Sequence, residues 1–126
     1  MLLFQKKFLP LIRSGEKMQT IRIWPHRKYR TGQRSYIPGV GYIQIVEVAA
    51  VPLEELTTED AVRDGFPDLA SLRSEIQRLY PNGLTGGQQS YRVRFRVLSD
   101  EEQAIAIAEK EERKRQAKRN VEGGGV

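Results

Sequence analysis

Three side chains that could do chemistry together lie close to one another near the N-terminus: Lys17, Thr20 and Arg22. A threonine hydroxyl becomes a nucleophile when a neighbouring base takes its proton, and a lysine removed from water can be that base because its pKa falls. A charged lysine or arginine can instead stabilise an oxyanion or bind a phosphate. The same residue types are common at surface turns, so an ordinary helix–turn–strand connection remains open at this point.

A predicted helix and a predicted strand would position these side chains. Residues 6–14 have apolar side chains at helical spacing, and Gly15 supplies the positive φ that commonly ends a helix. Residues 18–24 alternate as a strand does, with two isoleucines expected to face the core. Thr20 and Arg22 then share the opposite face, and the lysine belongs to the turn before the strand.

A carboxylate further along the chain, Asp64, is a candidate base. Residues 56–65 predict a short helix in which Thr57 is the N-cap, Asp60 completes a capping box and Gly65 marks the end. A carboxylate in the last turn meets the negative end of the helix dipole, which raises its pKa and makes it a better base near neutral pH. A surface aspartate without a function is the alternative.

Basic side chains are concentrated in the N-terminal part of the chain. The net charge of the whole chain is +5, and Glu16 is the only acid between residues 6 and 34. The basic residues of this stretch are Lys6, Lys7, Arg13, Lys17, Arg22, Arg27, Lys28, Arg30 and Arg34. A one-sided basic surface suits a phosphate-bearing partner, and a solvated basic face without a ligand is the alternative.

Aromatic residues alternate with these cations around the predicted loop 25–32. Rings can stack on bases while cations meet phosphates, so the pattern predicts contact with single-stranded nucleic acid, and burial of Trp24 in the core is the alternative. The candidate binding residues are Arg22, Trp24, Arg27, Lys28, Tyr29 and Arg30.

The composition excludes several kinds of site. The chain has no cysteine and a single histidine, His26, which we expect to be an exposed loop residue. A zinc site of the usual ligand type cannot be assembled from these residues, and the glycine-rich loop 81–90 lacks the ending of a phosphate-cradling loop. We therefore predict no metal and no cofactor. No apolar run of about 18 residues and no signal-peptide pattern occur, which predicts a soluble, cytoplasmic protein.

Further strands and helices complete the expected domain. Strands are predicted at residues 2–5, 33–37, 42–51 and 91–98, and a helix begins after Asp68. A β-bulge near Ile45 would explain why the apolar parity changes inside the 42–51 strand, and burial on both faces is the other explanation. Three arginines alternate with apolar residues in the last strand, which favours a solvated outer face over a surface that contacts a nucleic-acid backbone.

The C-terminal residues differ in composition from the rest. Residues 100–126 predict a charged helical tail with a disordered Gly-rich end, separate from a domain at residues 1–99. Only Ala104, Ile107 and Ala108 supply an apolar patch on the predicted helix. We expect the tail to be solvated, with nonspecific contact to nucleic acid as the alternative.

The pattern Gly15-x-Lys17-x-x-Thr20-x-Arg22 resembles the signature of the ASCH domain family, which is similar to the PUA-type RNA-binding barrels. The resemblance extends from Phe4 to Phe95 and includes the stretch from Leu56 to Phe66 and the strand Tyr91-x-Val93-x-Phe95. It implies an α+β fold with a small β-barrel of five to six strands and two or three flanking helices.

The resemblance also implies an activity. Many family members have glutamate where this chain has Thr20, and threonine there is similar to the branch that removes the acetyl group from 4-acetylcytidine. Lys17, Thr20 and Asp64 would then be catalytic, although Asp64 is one methylene shorter than the glutamate of that branch. RNA or a modified nucleoside would be the partner. The alternatives are a noncatalytic RNA-binding module and a ribonuclease, for which paired carboxylates or two histidines would be expected.

Overall fold

Alternating apolar residues build one antiparallel sheet in the computed structural model, which describes residues 1–123. The strands are β1 (Gln19–Trp24), β2 (Arg34–Ile37), β3 (Gly41–Ala50) and β4 (Gln89–Val97), in the order β1-β4-β3-β2. The predicted disordered end lies outside the described residues apart from Gly123.

Helices pack against both faces of the sheet. They are α1 (Leu9–Ser14), α2 (Thr58–Arg63), α3 (Leu69–Leu79) and α4 (Asp100–Gly123), and two short 3₁₀ turns cover Lys6–Phe8 and Leu53–Glu55. The predicted α+β class is therefore confirmed. Within residues 1–123 no helix has both the length and the apolar composition needed to cross a lipid bilayer.

The expectation of a closed barrel with five to six strands is wrong, since the sheet is open and has four strands. The predicted first strand forms no ladder: the Leu2 N–H donates to the Tyr36 carbonyl at 2.9 Å, and a 3₁₀ turn begins at Lys6. Arg22 Nη2 holds the same segment by donating to the Leu3 carbonyl at 2.6 Å. One backbone bond and one side-chain bond thus hold the N-terminal segment where a barrel would need a ladder of strand pairing.

Both faces of β1 are buried, whereas the sequence predicted a single core face. Thr20 pairs with Val93 and Arg22 with Tyr91, so both side chains share the face of the larger apolar cluster. Ile21, on the other face, packs with α2 and α3. Thr20 and Arg22 therefore lie between the sheet and the N-terminal segment, away from open solvent.

The predicted β-bulge is confirmed by a register shift between Ile45 and Glu47 in β3. The shift places Glu47 opposite Arg94, and its carboxylate pairs with Arg92 at 2.9 Å and with Arg94 at 3.4 Å. Arg92 also approaches Asp60 at 3.4 Å. These two arginines are thus partly buried in ion pairs, which differs from the plain solvated face that the alternation favoured.

The first turns of α4 pack on the domain through residues other than the predicted ones. Ala104, Ile107 and Ala108 are exposed, whereas Ala106 is buried. The phase of the helix is set by Gln103, whose side chain bonds to the backbone of β3. The expected apolar patch is therefore wrong, because one polar contact decides which helical face meets the sheet.

We expect a variant lacking residues 104–126 to remain folded. It keeps Gln103 and loses one buried side chain, Ala106, so the free energy of unfolding should fall by only about 1–2 kcal/mol. Thermal unfolding followed by circular dichroism checks this against the full chain. Loss of the cooperative transition would show that α4 belongs to the domain rather than to a separate tail.

Candidate functional site

A cavity of about 210 Å³ lies between the N-terminal segment, β1 and α3. Its lining includes Lys17, Thr20, Arg22 and Asp64, which come from positions far apart in the sequence. The structure thus brings together all three predicted catalytic residues and one of the predicted binding residues.

Backbone hydrogen bonds bring the turn that carries Lys17 to the end of α2. The Lys17 N–H donates to the Leu11 carbonyl at 3.0 Å, which closes the turn after α1. The Met18 N–H donates to the Arg63 carbonyl at 2.8 Å, and Asp64 follows directly as the C-cap of α2. Lys17 and Asp64 therefore meet because this backbone bond joins the turn before β1 to the end of α2.

Lys17 and Asp64 form a buried ion pair, and each is 3% exposed. Lys17 Nζ donates to the Asp64 carboxylate and, at 2.7 Å, to the Asp64 carbonyl. The ring centres of Phe4, Phe8 and Phe66 lie 5.8, 4.6 and 5.5 Å from the same nitrogen. The ammonium of Lys17 thus forms both of its hydrogen bonds with Asp64 and is surrounded by aromatic rings.

Burial shifts the pKa values of both partners in the directions that favour their neutral forms. It lowers the pKa of Lys17 and raises the pKa of Asp64, and the attraction between the two charges only partly opposes this. The sequence predicted a raised Asp64 pKa from the helix dipole; burial is the main cause. Asp64 Oδ2 is buried and has no hydrogen-bond partner among the described residues, which adds to the cost of keeping this carboxylate charged.

Thr20 is paired with Arg22 rather than with Lys17. Arg22 Nε donates to Thr20 Oγ1 at 3.0 Å, and the guanidinium lies 4.7 Å from the ring centre of Phe4. Among residues 1–123, the side chain of Lys17 hydrogen-bonds only to Asp64. The guanidinium therefore polarises the threonine oxygen and would stabilise it as an alkoxide.

The other predicted binding residues lie away from the cavity. Trp24 is buried in the core and packs on Tyr29 and Tyr91, with ring centres 5.8 and 5.6 Å away. The Tyr29 hydroxyl donates to the Met1 carbonyl. Arg27, Lys28, Arg30 and His26 are exposed on the loop after β1. Burial of Trp24, the alternative left open by the sequence, is what the structure has.

Sequence reasoning missed the aromatic wall of the cavity. Phe66 follows the Asp64-Gly65 pair and could have been suspected from that spacing, whereas Phe4 and Phe8 reach the site only through the tertiary fold. Glu75 on α3 was missed as well; it lines the cavity and pairs with Lys7 at 3.1 Å. Within the described part of the chain, no group of three or more potential ligand residues is arranged to hold a metal ion.

Gly65→Ala should displace Lys17. A Cβ at this position would lie 3.2 Å from Lys17 Cβ, and the backbone φ of +87° already disfavours alanine by about 1–2 kcal/mol. Gly32→Ala is the matched control, because its φ is +85° and nothing lies within 4 Å of the added carbon. We expect Gly65→Ala to destabilise more than Gly32→Ala in chemical denaturation. It should also raise the pKa of Asp64 further, because a displaced Lys17 opposes the effect of burial less. Equal losses of stability for both variants would contradict a close fit around Lys17.

The lowered pKa of Lys17 predicts a pH dependence of stability. Between this pKa and the ordinary value of 10.5, the unfolded chain binds more protons, so the free energy of unfolding should rise with pH. The reference is the Lys17→Met/Asp64→Leu variant, which lacks both groups. Denaturation at several alkaline pH values measures the difference, and parallel stability curves for the two proteins would contradict the prediction.

Comparison with family models gives no match, and no curated protein sequence matches the chain. Solved structures do match. An ASCH domain from Lactobacillus crispatus JV V101 has a TM-score of 0.54 at 16% identity, over 71% of this chain and 69% of that one. A DUF984 protein from Enterococcus faecalis V583, EF3133, has a TM-score of 0.54 at 16% identity, over 73% and 70% of the two chains.

A third similar structure is that of the hypothetical protein PH0355, with a TM-score of 0.64 at 14% identity. The match covers 76% of this chain and 95% of that one. At these identities the likeness is one of fold. The chain has the α+β fold of an ASCH domain.

Proposed function

We propose that the cavity binds a nucleoside with an acylated exocyclic amine and hydrolyses its amide, with 4-acetylcytidine as the substrate that the sequence resemblance implies. One observation carries the proposal: Lys17, Thr20, Arg22 and Asp64 line a single cavity with aromatic walls. A hydroxyl, a buried amine and a carboxylate can serve as nucleophile, base and orienting group in acyl transfer.

The Lys17–Asp64 pair supplies the base. Both pKa shifts reduce the free energy needed to move a proton from Lys17 to Asp64, and this transfer would leave a neutral amine inside the cavity. The amine takes the Thr20 proton as Thr20 Oγ1 bonds to the acyl carbon. Collapse of this intermediate breaks the bond to the exocyclic nitrogen, which receives that proton from Lys17. The nucleoside leaves as the free amine, and the acyl group stays on Thr20 as an ester.

Water completes the reaction by attacking the ester. Lys17 takes a proton from the water, Thr20 regains its hydroxyl, and the acyl group leaves as a carboxylic acid. Arg22, bonded to Thr20 Oγ1, stabilises the negative charge that this oxygen carries as it attacks and as it leaves. Asp64 thus acts by holding the proton of Lys17 and by positioning its amine.

The cavity offers suitable contacts for the base. Phe4, Phe8 and Phe66 provide apolar and aromatic surface for a planar ring. Thr20 lines the same cavity, so the amide of a base on this wall would face the threonine.

A noncatalytic RNA-binding module is the second candidate, and the loop after β1 favours it. Arg27, Lys28 and Arg30 are exposed there, and none of them forms an ion pair within residues 1–123. Exposed, unpaired cations of this kind bind phosphates. In this case the cavity would hold a base without any chemistry.

Incubation of the purified protein with 4-acetylcytidine, followed by chromatography, tests the proposal. We expect release of cytidine by the wild type and no release by Lys17→Ala, Thr20→Ala or Asp64→Ala. Arg22→Ala should weaken nucleoside binding, whereas Arg13→Ala, outside the cavity, should not. Retention of RNA without any release of cytidine by the wild type would rule out the hydrolase and leave the binding module.

A further inference from the structure

The basic half of α4 presents cations to the domain rather than only to open water. Lys110, Arg113, Lys114 and Ala117 have the i, i+3, i+4, i+7 spacing of a single helical face. This face forms one wall of an open groove whose other wall is the β2–β3 hairpin. The groove, which we name the tail groove, has a volume of about 660 Å³ and is lined by Met1, Tyr36, Tyr42, Lys110, Arg113, Lys114 and Ala117.

Specific contacts hold α4 in this position. Gln103 accepts the Tyr42 N–H and donates to the Tyr42 carbonyl, both at 2.8 Å. Two turns further on, Glu109 pairs with Arg34 of β2 at 2.7 Å. The helix is thus fastened to both strands of the hairpin before its cationic face begins.

Two tyrosines form the floor of the tail groove. Tyr36 and Tyr42 are cross-strand partners, with ring centres 5.1 Å apart and planes at 67°. Tyr36 is 41% exposed, which is unusual for a large aromatic ring that could pack on its own domain. Exposed rings on a sheet are surfaces on which unpaired bases stack.

The cations of the tail groove have few acidic partners. Lys110 and Arg113 form no ion pair among residues 1–123, and Lys114 lies 3.9 Å from Glu111, at the limit of an ion pair. No acidic side chain lines the groove. In contrast, Arg115 and Arg119, which do not line it, both pair with Glu112. Two of the cations that line the groove, Lys110 and Arg113, are thus without an ion-pair partner within the described side chains.

The tail groove and the cavity are lined by residues that are close in sequence at the N-terminus. Met1 lines the groove and Leu3 lines the cavity, so at most about 7 Å of extended backbone separates them. The two sites thus lie at neighbouring positions of one N-terminal segment. A flexible polyanion could occupy both.

We propose that the tail groove binds single-stranded RNA on one side of the nucleoside that enters the cavity. The inference rests on the proposed function, since it identifies the substrate as a nucleoside within RNA. Bases stack on Tyr36 and Tyr42, while Lys110, Arg113 and Lys114 contact phosphates. A duplex has no unstacked bases to offer the tyrosines, and an acidic peptide would make no use of the rings.

Fluorescence anisotropy with a labelled oligocytidine RNA tests the proposal. The variant Lys110→Ala/Arg113→Ala/Lys114→Ala should bind about tenfold or more weakly, and its salt dependence should be shallower by about two units of slope. The matched control, Arg115→Ala/Lys118→Ala/Arg119→Ala, removes the same charge from residues outside the groove and should bind within about twofold of the wild type. Tyr36→Leu/Tyr42→Leu should also weaken binding, by loss of stacking.

Equal losses for the two charge variants would overturn the proposal, because net charge alone would then explain binding. Tighter binding of duplex RNA or polyglutamate than of oligocytidine would overturn it too. The rate of cytidine release from free 4-acetylcytidine distinguishes the two proposals, because substitutions in the tail groove should leave this rate unchanged. If the wild type releases no cytidine, the proposed function is wrong. The measured affinities for oligocytidine would still show whether the tail groove binds RNA.

Discussion

Asp64→Ala is expected to lower the free energy of unfolding by about 3–5 kcal/mol, the largest effect on stability that the site predicts. The substitution leaves the Lys17 ammonium buried among three aromatic rings without a counter-charge. The Lys17 pKa should fall further, because the partner that opposes the effect of burial is gone. Urea denaturation at neutral pH measures the loss.

The Lys17→Met/Asp64→Leu variant is the control for this prediction. It removes both charges and keeps apolar volume, so it should be more stable than Asp64→Ala and close to the wild type. The comparison separates the cost of an unpaired charge from the cost of lost packing. A loss below about 1 kcal/mol for Asp64→Ala would mean that water reaches Lys17 in solution, contrary to its burial.

Thr20→Val is expected to reduce the rate of cytidine release by about a thousandfold or more, the largest effect on activity. Valine has nearly the same shape, but it lacks the oxygen that attacks the acyl carbon. Stability should fall by only about 1 kcal/mol, since the hydroxyl accepts one hydrogen bond, from Arg22. The readouts are the initial rate of 4-acetylcytidine hydrolysis and the affinity for cytidine, which should be unchanged.

The Thr20→Ser variant tests the same role of the hydroxyl by retaining it. Serine keeps a hydroxyl within reach of Arg22, so activity should remain well above that of Thr20→Val. Equal activity of Thr20→Val and the wild type would exclude Thr20 as the nucleophile. Water attacking directly would then be the simplest mechanism for any observed hydrolysis.

The sequence predicted the parts of the site that local chemistry controls. Thr57 and Asp60 form the expected capping box, which fixes where α2 begins, and Gly15 ends α1 with a φ of +84°. The bulge after Ile45 was visible as a change of parity within one strand. Such features depend on a few neighbouring residues, so spacing and residue type are sufficient to find them.

Features that depend on distant segments were not predictable in this way. Burial of both faces of β1 results from α3 on one side and the N-terminal segment on the other, and neither is encoded in the alternation of β1 itself. The open sheet likewise depends on how Leu2 meets Tyr36, a contact between residues far apart in the chain. The aromatic surroundings of Lys17 were missed for the same reason, because Phe4 and Phe8 at the N-terminus meet Phe66 from beyond α2.

An NMR titration with cytidine tests whether a nucleoside binds in the cavity, which both candidate functions require. Backbone amide signals of the isotopically labelled protein would be followed as unlabelled cytidine is added. We expect saturable shifts at Lys17, Thr20, Arg22 and Phe66, and saturation only at higher cytidine concentration in the Arg22→Ala variant. Shifts confined to other parts of the chain, or none at millimolar cytidine, would contradict this expectation.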